Sequence, residues 1–233
     1  MYASGGYNLF FLLSIGLSFV GMIISGRLKS KFNYYAQIGT RSGLTGGEVA
    51  TAMLRHYNIT DVQIVKGQGF LSDHYNPLTK TVSLSPAVYD GRSIAASAVA
   101  AHECGHVVQH ATGYAMLNLR STLVPAVKFA STAQQFLLLV AFMTLQSMPS
   151  IMLITIVAFM VTTAFSFITL PVEFDASKRA LAWLDQSGYA RGEEHEGAKD
   201  ALWWAAMTYV AAALSALVMV LFLVMQYMGS RDR

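Results

Sequence analysis

Charge is scarce in this chain. Only 12% of its 233 residues are Asp, Glu, Lys or Arg, against about 25% in an average soluble domain. That shortage excludes a disordered chain and argues against an ordinary soluble enzyme. Cysteine occurs once, at Cys104, so no internal disulfide can form and the compartment cannot be read from pairing. The basic excess is small, with a net charge of +3 and a pI near 9.0. In so apolar a chain this points to cytoplasmic loops, and no nucleic-acid partner is expected. What is abundant is apolar surface: AVILMFWYC make up 54% and the mean hydropathy is +0.44.

Four runs reach the roughly 20 apolar residues that cross a bilayer: 7–25, 129–148, 151–170 and 201–228. The second is the weakest, because Gln134 and Gln135 are costly in lipid unless they face other helices. The third stops at Pro171. The fourth is bordered by Trp203, Trp204 and Tyr227, which suit a membrane–water interface. No Lys or Arg precedes the first run, whereas Arg27, Lys29 and Lys31 follow it. This predicts an uncleaved anchor with the N-terminus outside. Segments 27–128 and 171–200 then face the cytoplasm and hold fourteen of the sixteen Lys and Arg residues. A multi-pass, mainly α cell-membrane protein follows, with the lipid bilayer as its first partner.

Outside these runs, 44–57 reads as a helix opened by a Thr45/Glu48 capping box. Segments 61–66 and 81–85 read as strands, with an Asn76-Pro77 turn between them. Segment 92–112 reads as an alanine-rich helix with Asp90 as its cap and Gly113 just past its end. Segment 172–184 reads as helical and 192–200 as a charged loop.

The alanine-rich helix carries His102-Glu103-Cys104-Gly105-His106, an H-E-x-x-H pattern. Residues four apart lie one turn apart on one face, so both imidazoles reach a single metal. The glutamate between them is placed to act as general base on a metal-activated water and then as general acid toward a leaving amine. Three of the six histidines fall within this helix, and on an apolar helix such groups are expensive without a partner.

A catalytic zinc takes three protein ligands and keeps one open position. His110 is the nearest third candidate, but it lies about 12 Å along the axis from His102, so it reads as a structural or ligand-orienting group. Glu173 is the better candidate. It follows Pro171, and the hairpin of the second and third runs returns it to the face that holds the histidines. An acid so close to a bilayer needs a partner. Asp175 is placed either to orient a ligand histidine or to cap a helix in solvent.

The blocks SKFNYYAQI, SGLTGGEVA, LSDHYNPLTKTVSLSP, VAAHECGHVVQHATGYA and LPVEFDASKRAL resemble the YugP-like neutral zinc metallopeptidases of bacterial membranes. More distantly the chain is similar to the membrane proteases that include the CAAX prenyl endopeptidase and the heat-shock-induced membrane protease. The resemblance implies a cytoplasmic-face α+β, zincin-like catalytic domain (a small sheet plus the HExxH helix) beside four transmembrane helices. It also implies one zinc ion and endopeptidase action on a peptide or protein substrate, with Glu103 catalytic and His102, His106 and Glu173 as ligands in a gluzincin-like site. The distant group completes its site with E-x-x-x-D. Ser177 stands at that aspartate's position and the acid is Asp175 instead, a departure that leaves the orienting role open but not the ligand Glu173. By the same analogy the 81–85 strand is expected to be a sheet edge that pairs with extended peptide. His74 and Tyr75 read as turn residues.

Two other functions are compatible with the motif. An intramembrane site-2-type protease would hold the H-E-x-x-H in lipid and use a distant aspartate in an N-P-x-P-D-G-like segment, which does not occur. A non-catalytic adaptor would keep zinc as a structural element and would have no use for Glu103.

Overall fold

The computed structural model describes residues 2–69 and 72–231. Leu71 of the quoted blocks and Arg233 of the charge count lie outside them. The elements run α1 (Tyr2–Ala36), α2 (Gly46–His56), β1 (Gln63–Lys66), β2 (His74–Asn76), β3 (Thr81–Leu84), α3 (Pro86–Tyr89), α4 (Ile94–Ala111), α5 (Ala115–Met143), α6 (Pro149–Gln186) and α7 (Glu193–Arg231). Among the described residues, four helices are long and apolar enough to cross a membrane: Phe10–Ala36, Ala115–Met143, Pro149–Gln186 and Glu193–Ser230. α4 is not one of them.

The chain divides into two compact units. One comprises Met1–Ile24, Leu119–Leu170 and Thr208–Arg233; the other comprises Ser25–Asn118 and Pro171–Met207. The first packs around Ala141, Met152, Ile156, Phe222 and Leu223, with the Phe10 and Phe222 rings stacked at 3.6 Å. Gln134 is satisfied there. Its Nε2 donates to Ala158 O at 2.9 Å and to Thr162 Oγ1 at 2.7 Å on α6.

The second unit holds the sheet and the H-E-x-x-H helix. The capping box of α2 forms as the sequence predicts: Thr45 N donates to Glu48 Oε2 and Glu48 N to Thr45 Oγ1. α2 buries Val49, Ala50 and Met53 in one core with Val82 and Leu84 of β3, Ala98 and Ala101 of α4, and Trp183 and Leu184 of α6. Alternation along β3 puts Val82 and Leu84 inside and leaves Thr81 and Ser83 half-buried.

Several boundaries differ from the sequence reading, each for an identifiable reason. Pro171 does not end the third run, because α6 continues through it to Gln186. A proline removes one N–H bond and crowds one carbonyl, and membrane helices absorb such local losses. Glu173 therefore stands on a helix. The 192–200 segment is not a loop. It opens α7 with Glu193, Glu194 and Glu196 in the first turn, where negative charge complements the helix dipole. The cap of α4 is Ser93, whose Oγ accepts from Ala96 N at 3.2 Å; Asp90 instead ends α3 and pairs with Lys66. Gly113 does follow α4 with a positive φ of 65°, as a glycine past a helix end allows.

The sheet overturns one expectation outright. Its order is β1-β3-β2, with β1 parallel and β2 antiparallel to β3. β3 is thus the central strand and not an edge. His74 and Tyr75 belong to β2, which pairs with β3 in the register His74↔Ser83, Tyr75↔Val82, Asn76↔Thr81.

Candidate metal centre

His102 and His106 stand one turn apart on α4, and Glu173 approaches from α6. One ligand atom from each lies within 4.8 Å of the others. Glu173 Oε2 is 3.2 Å from His102 Nε2 and 3.5 Å from His106 Nε2. Bonds of 2.0–2.2 Å in a tetrahedron put neighbouring ligand atoms about 3.4 Å apart. Two nitrogens and one carboxylate oxygen at this spacing fit zinc in both donor chemistry and size.

The approach of the two helices depends on Gly105. A Cβ there would lie 2.5 Å from Ala176 O and 3.1 Å from Ala176 C and Cα. The missing side chain lets the α6 backbone come against α4 one turn from Glu173.

The far side of each imidazole is held as well. His102 Nδ1 lies 3.0 Å from Ser177 Oγ and His106 Nδ1 lies 3.0 Å from Gln109 Oε1. Gln109 is 0% exposed, and its Nε2 donates at 2.8 Å both to Val172 O and to Asp175 Oδ2. Those two acceptors commit the amide nitrogen, so Oε1 is what faces His106. His106 Nδ1 must then carry the hydrogen, which leaves Nε2 free for a cation. Val172 and Asp175 flank Glu173, so one glutamine fixes the tautomer of one donor and the position of the segment that bears another.

Burial alone would push the His106 imidazole down. Its hydrogen bond to Glu173 and the charges of Glu173 and Glu103 outweigh that and hold its pKa above the ordinary histidine value. Glu103 itself is 8% exposed. Among the described residues, no group is hydrogen-bonded to it. Cys104, between the motif residues, is no donor to the site. Its buried thiol bonds Ala50 O, and burial pushes its pKa far up.

Asp175 does not touch a histidine. Its Oδ2 accepts from Gln109 Nε2 and from Arg179 Nε at 2.6 Å, so it acts on His106 only through Gln109. The direct partner of His102 is Ser177, at the position where the distant group carries its aspartate. His110 Nδ1 lies 2.7 Å from Tyr75 Oη on β2, in a cleft of about 170 Å³ lined also by Asp61, Lys80 and Val107. Gln109 and Gly105 carried no separate signal in the motif. An amide one turn from His106 on an alanine-rich helix was the clue to the first.

Replacing Gln109 with Leu removes the acceptor for His106 and the bonds that tie α4 to Val172 O and Asp175 Oδ2 on α6. The expected outcome is about a 10–100-fold loss of zinc affinity, the usual cost of losing a group that orients a ligand. Competition titration against a chromophoric chelator measures it.

The family model described as "Putative neutral zinc metallopeptidase" matches residues 10–228. "Putative membrane protease YugP" of Bacillus subtilis (strain 168) is 41% identical over 221 residues, covering 95% of this chain and 96% of the relative. No solved structure gives a significant match. A family model spanning nearly all of the sequence, and a relative this similar from end to end, show that the chain belongs to this zinc metallopeptidase family.

Proposed function

We propose that the chain is a membrane-anchored zinc endopeptidase whose catalytic unit works on the cytoplasmic side of the cell membrane. The observation that carries this reading is the convergence of His102, His106 and Glu173 beside a nearly buried carboxylate, Glu103, that has no hydrogen-bond partner among the described residues. Zinc bound by the three residues supplies a Lewis acid that brings the pKa of water toward about 7 and polarises a carbonyl. Glu103 accepts the proton from the attacking water at a carboxylate oxygen. It then returns the proton to the amine nitrogen of the departing peptide. Gln109 and Ser177 hold the two imidazoles in place during both transfers.

The sheet supports a peptide substrate. β2 is an edge strand, and its Tyr75 reaches His110 on the H-E-x-x-H helix. An extended peptide that adds to this edge gains main-chain hydrogen bonds whatever its sequence. The distribution of Lys and Arg supports the cytoplasmic orientation. A site-2-type enzyme fits less well, since α4 is not among the apolar spanning helices. An adaptor with structural zinc fits less well too, since it gives Glu103 no role.

The test is metal analysis of the full chain purified in detergent, with digestion of an unfolded protein. One zinc per chain is expected, with digestion stopped by a chelator and restored by zinc. Chelator-resistant digestion, or a chain that takes up no zinc, overturns the proposal.

A further inference from the structure

The paired glutamines of α5 meet different fates. The Gln134 amide nitrogen is committed within the chain to Ala158 O and Thr162 Oγ1. Gln135, about 100° further round the helix, is exposed, and among the described residues it has no hydrogen-bond partner. With α5 spanning a bilayer, it lies near the middle of the apolar run. Lys128, the last charged residue before the apolar run, is about 10 Å away along the helix, and the helix end at Met143 is about 12 Å away. An unpaired amide at that depth lacks both donors and acceptors in a hydrocarbon layer about 30 Å thick.

The surface around it is patterned. Lys128, Ser131, Gln135, Leu139 and Phe142 form an exposed stripe whose spacing averages 3.5 residues, the period of a left-handed helix pair. The neighbouring row Phe129, Thr132, Phe136, Val140 and Met143 is exposed with the same spacing, and what sets the stripe apart is the amide of Gln135. The hydroxyls of Ser131 and Thr132 are satisfied by Lys128 O at 3.0 and 2.9 Å. Gln135 is therefore the side chain of the stripe's apolar stretch with an unmet need. It occupies a seam position, where one polar residue sets register and partner number.

We infer that α5 is a dimerisation surface, on which a second copy of this chain docks with Gln135 facing Gln135. Complementarity selects that occupant. A primary amide offers N–H donors and a carbonyl acceptor, so two copies across a two-fold axis satisfy each other reciprocally. Two copies with the same membrane topology are related by an axis along the bilayer normal, so the helices meet in parallel and equivalent residues face one another. Lys128 then lies toward the interface, where its long stem lets the ammonium reach water. The inference rests on α5 lying in the bilayer and is independent of the zinc site.

The test uses the full chain reconstituted in phosphatidylcholine/phosphatidylglycerol vesicles. Cysteines are placed singly at Ser131 and Leu139 on the stripe, and at Phe129 and Phe136 beside it, and are oxidised in the bilayer. Disulfide-linked dimers are expected from the stripe positions at several times the yield of the flanking ones. In energy-transfer titrations of donor- and acceptor-labelled chains, Gln135→Leu is expected to weaken association about 5- to 30-fold. Gln135→Asn, which keeps the amide, is expected to restore most of it, and zinc content stays unchanged throughout. Equal cross-linking at all four positions, a monomer at every protein-to-lipid ratio, or Gln135→Leu pairing as tightly as wild type overturns the inference.

Discussion

Glu103→Gln is expected to cut peptide hydrolysis by about 10²- to 10⁴-fold, the range that a positioned acid–base contributes, while zinc stoichiometry stays at the wild-type value. The separation follows from the geometry. Glu103 lies outside the trio of His102, His106 and Glu173 whose ligand atoms converge, so its replacement leaves the donor set intact. The amide matches the carboxylate in size and polarity but takes no proton from water at neutral pH. Because no group in the described residues is hydrogen-bonded to Glu103, the change strands no partner, and the fold should be unaffected. Digestion rates for both proteins, normalised to bound zinc, decide the matter. Wild-type activity in the variant would remove Glu103 from the chemistry.

Gly105→Ala is expected to damage the site without altering a single donor. The new methyl meets the Ala176 carbonyl oxygen at 2.5 Å, and the carbon atoms behind it at 3.1 Å. These are backbone atoms, so no rotamer change relieves the clash and the helices must part. Glu173 lies three residues before Ala176 and moves with it, which opens the 3.2 and 3.5 Å separations from the imidazoles. Overpacking of this kind costs about 1–3 kcal/mol of stability. A misplacement near 1 Å at a reacting centre costs about 100-fold in rate. A lower thermal midpoint and at least tenfold weaker zinc binding are expected together. Gly39→Ala is the control, since its added carbon meets only Arg92 O at an ordinary 3.7 Å. A Gly105→Ala protein with wild-type zinc affinity would separate helix approach from metal binding.

The parts of the site visible in the sequence are those set by local geometry. The i, i+4 spacing of His102 and His106 fixes them on one helical face wherever the helix lies. The Thr45/Glu48 box fixes the start of α2 in the same way, and the alternation of β3 fixes which of its residues are buried. Glu173 was legible for a different reason: an acid in an apolar setting near a bilayer must be compensated. Pro171 misled only about continuity: proline reports a local cost, and the helix on either side of it, read as two pieces, runs through it as one. The central place of β3 was invisible because β2 is three residues long and carries no alternation of its own.

Composition and periodicity alone determined an apolar, helical chain and a pair of imidazoles with a glutamate between them. Only the tertiary structure decided that Ser177 rather than Asp175 backs His102, that Gln109 fixes the hydrogen on His106, and that Gly105 makes room for the approach of Glu173. The physical reason is range. Hydrogen-bond periodicity acts over one helical turn and is written in neighbouring residues. Which side chains meet across the 63 to 75 residues that separate α4 from its partners on α6 depends on how closely two backbones can pack.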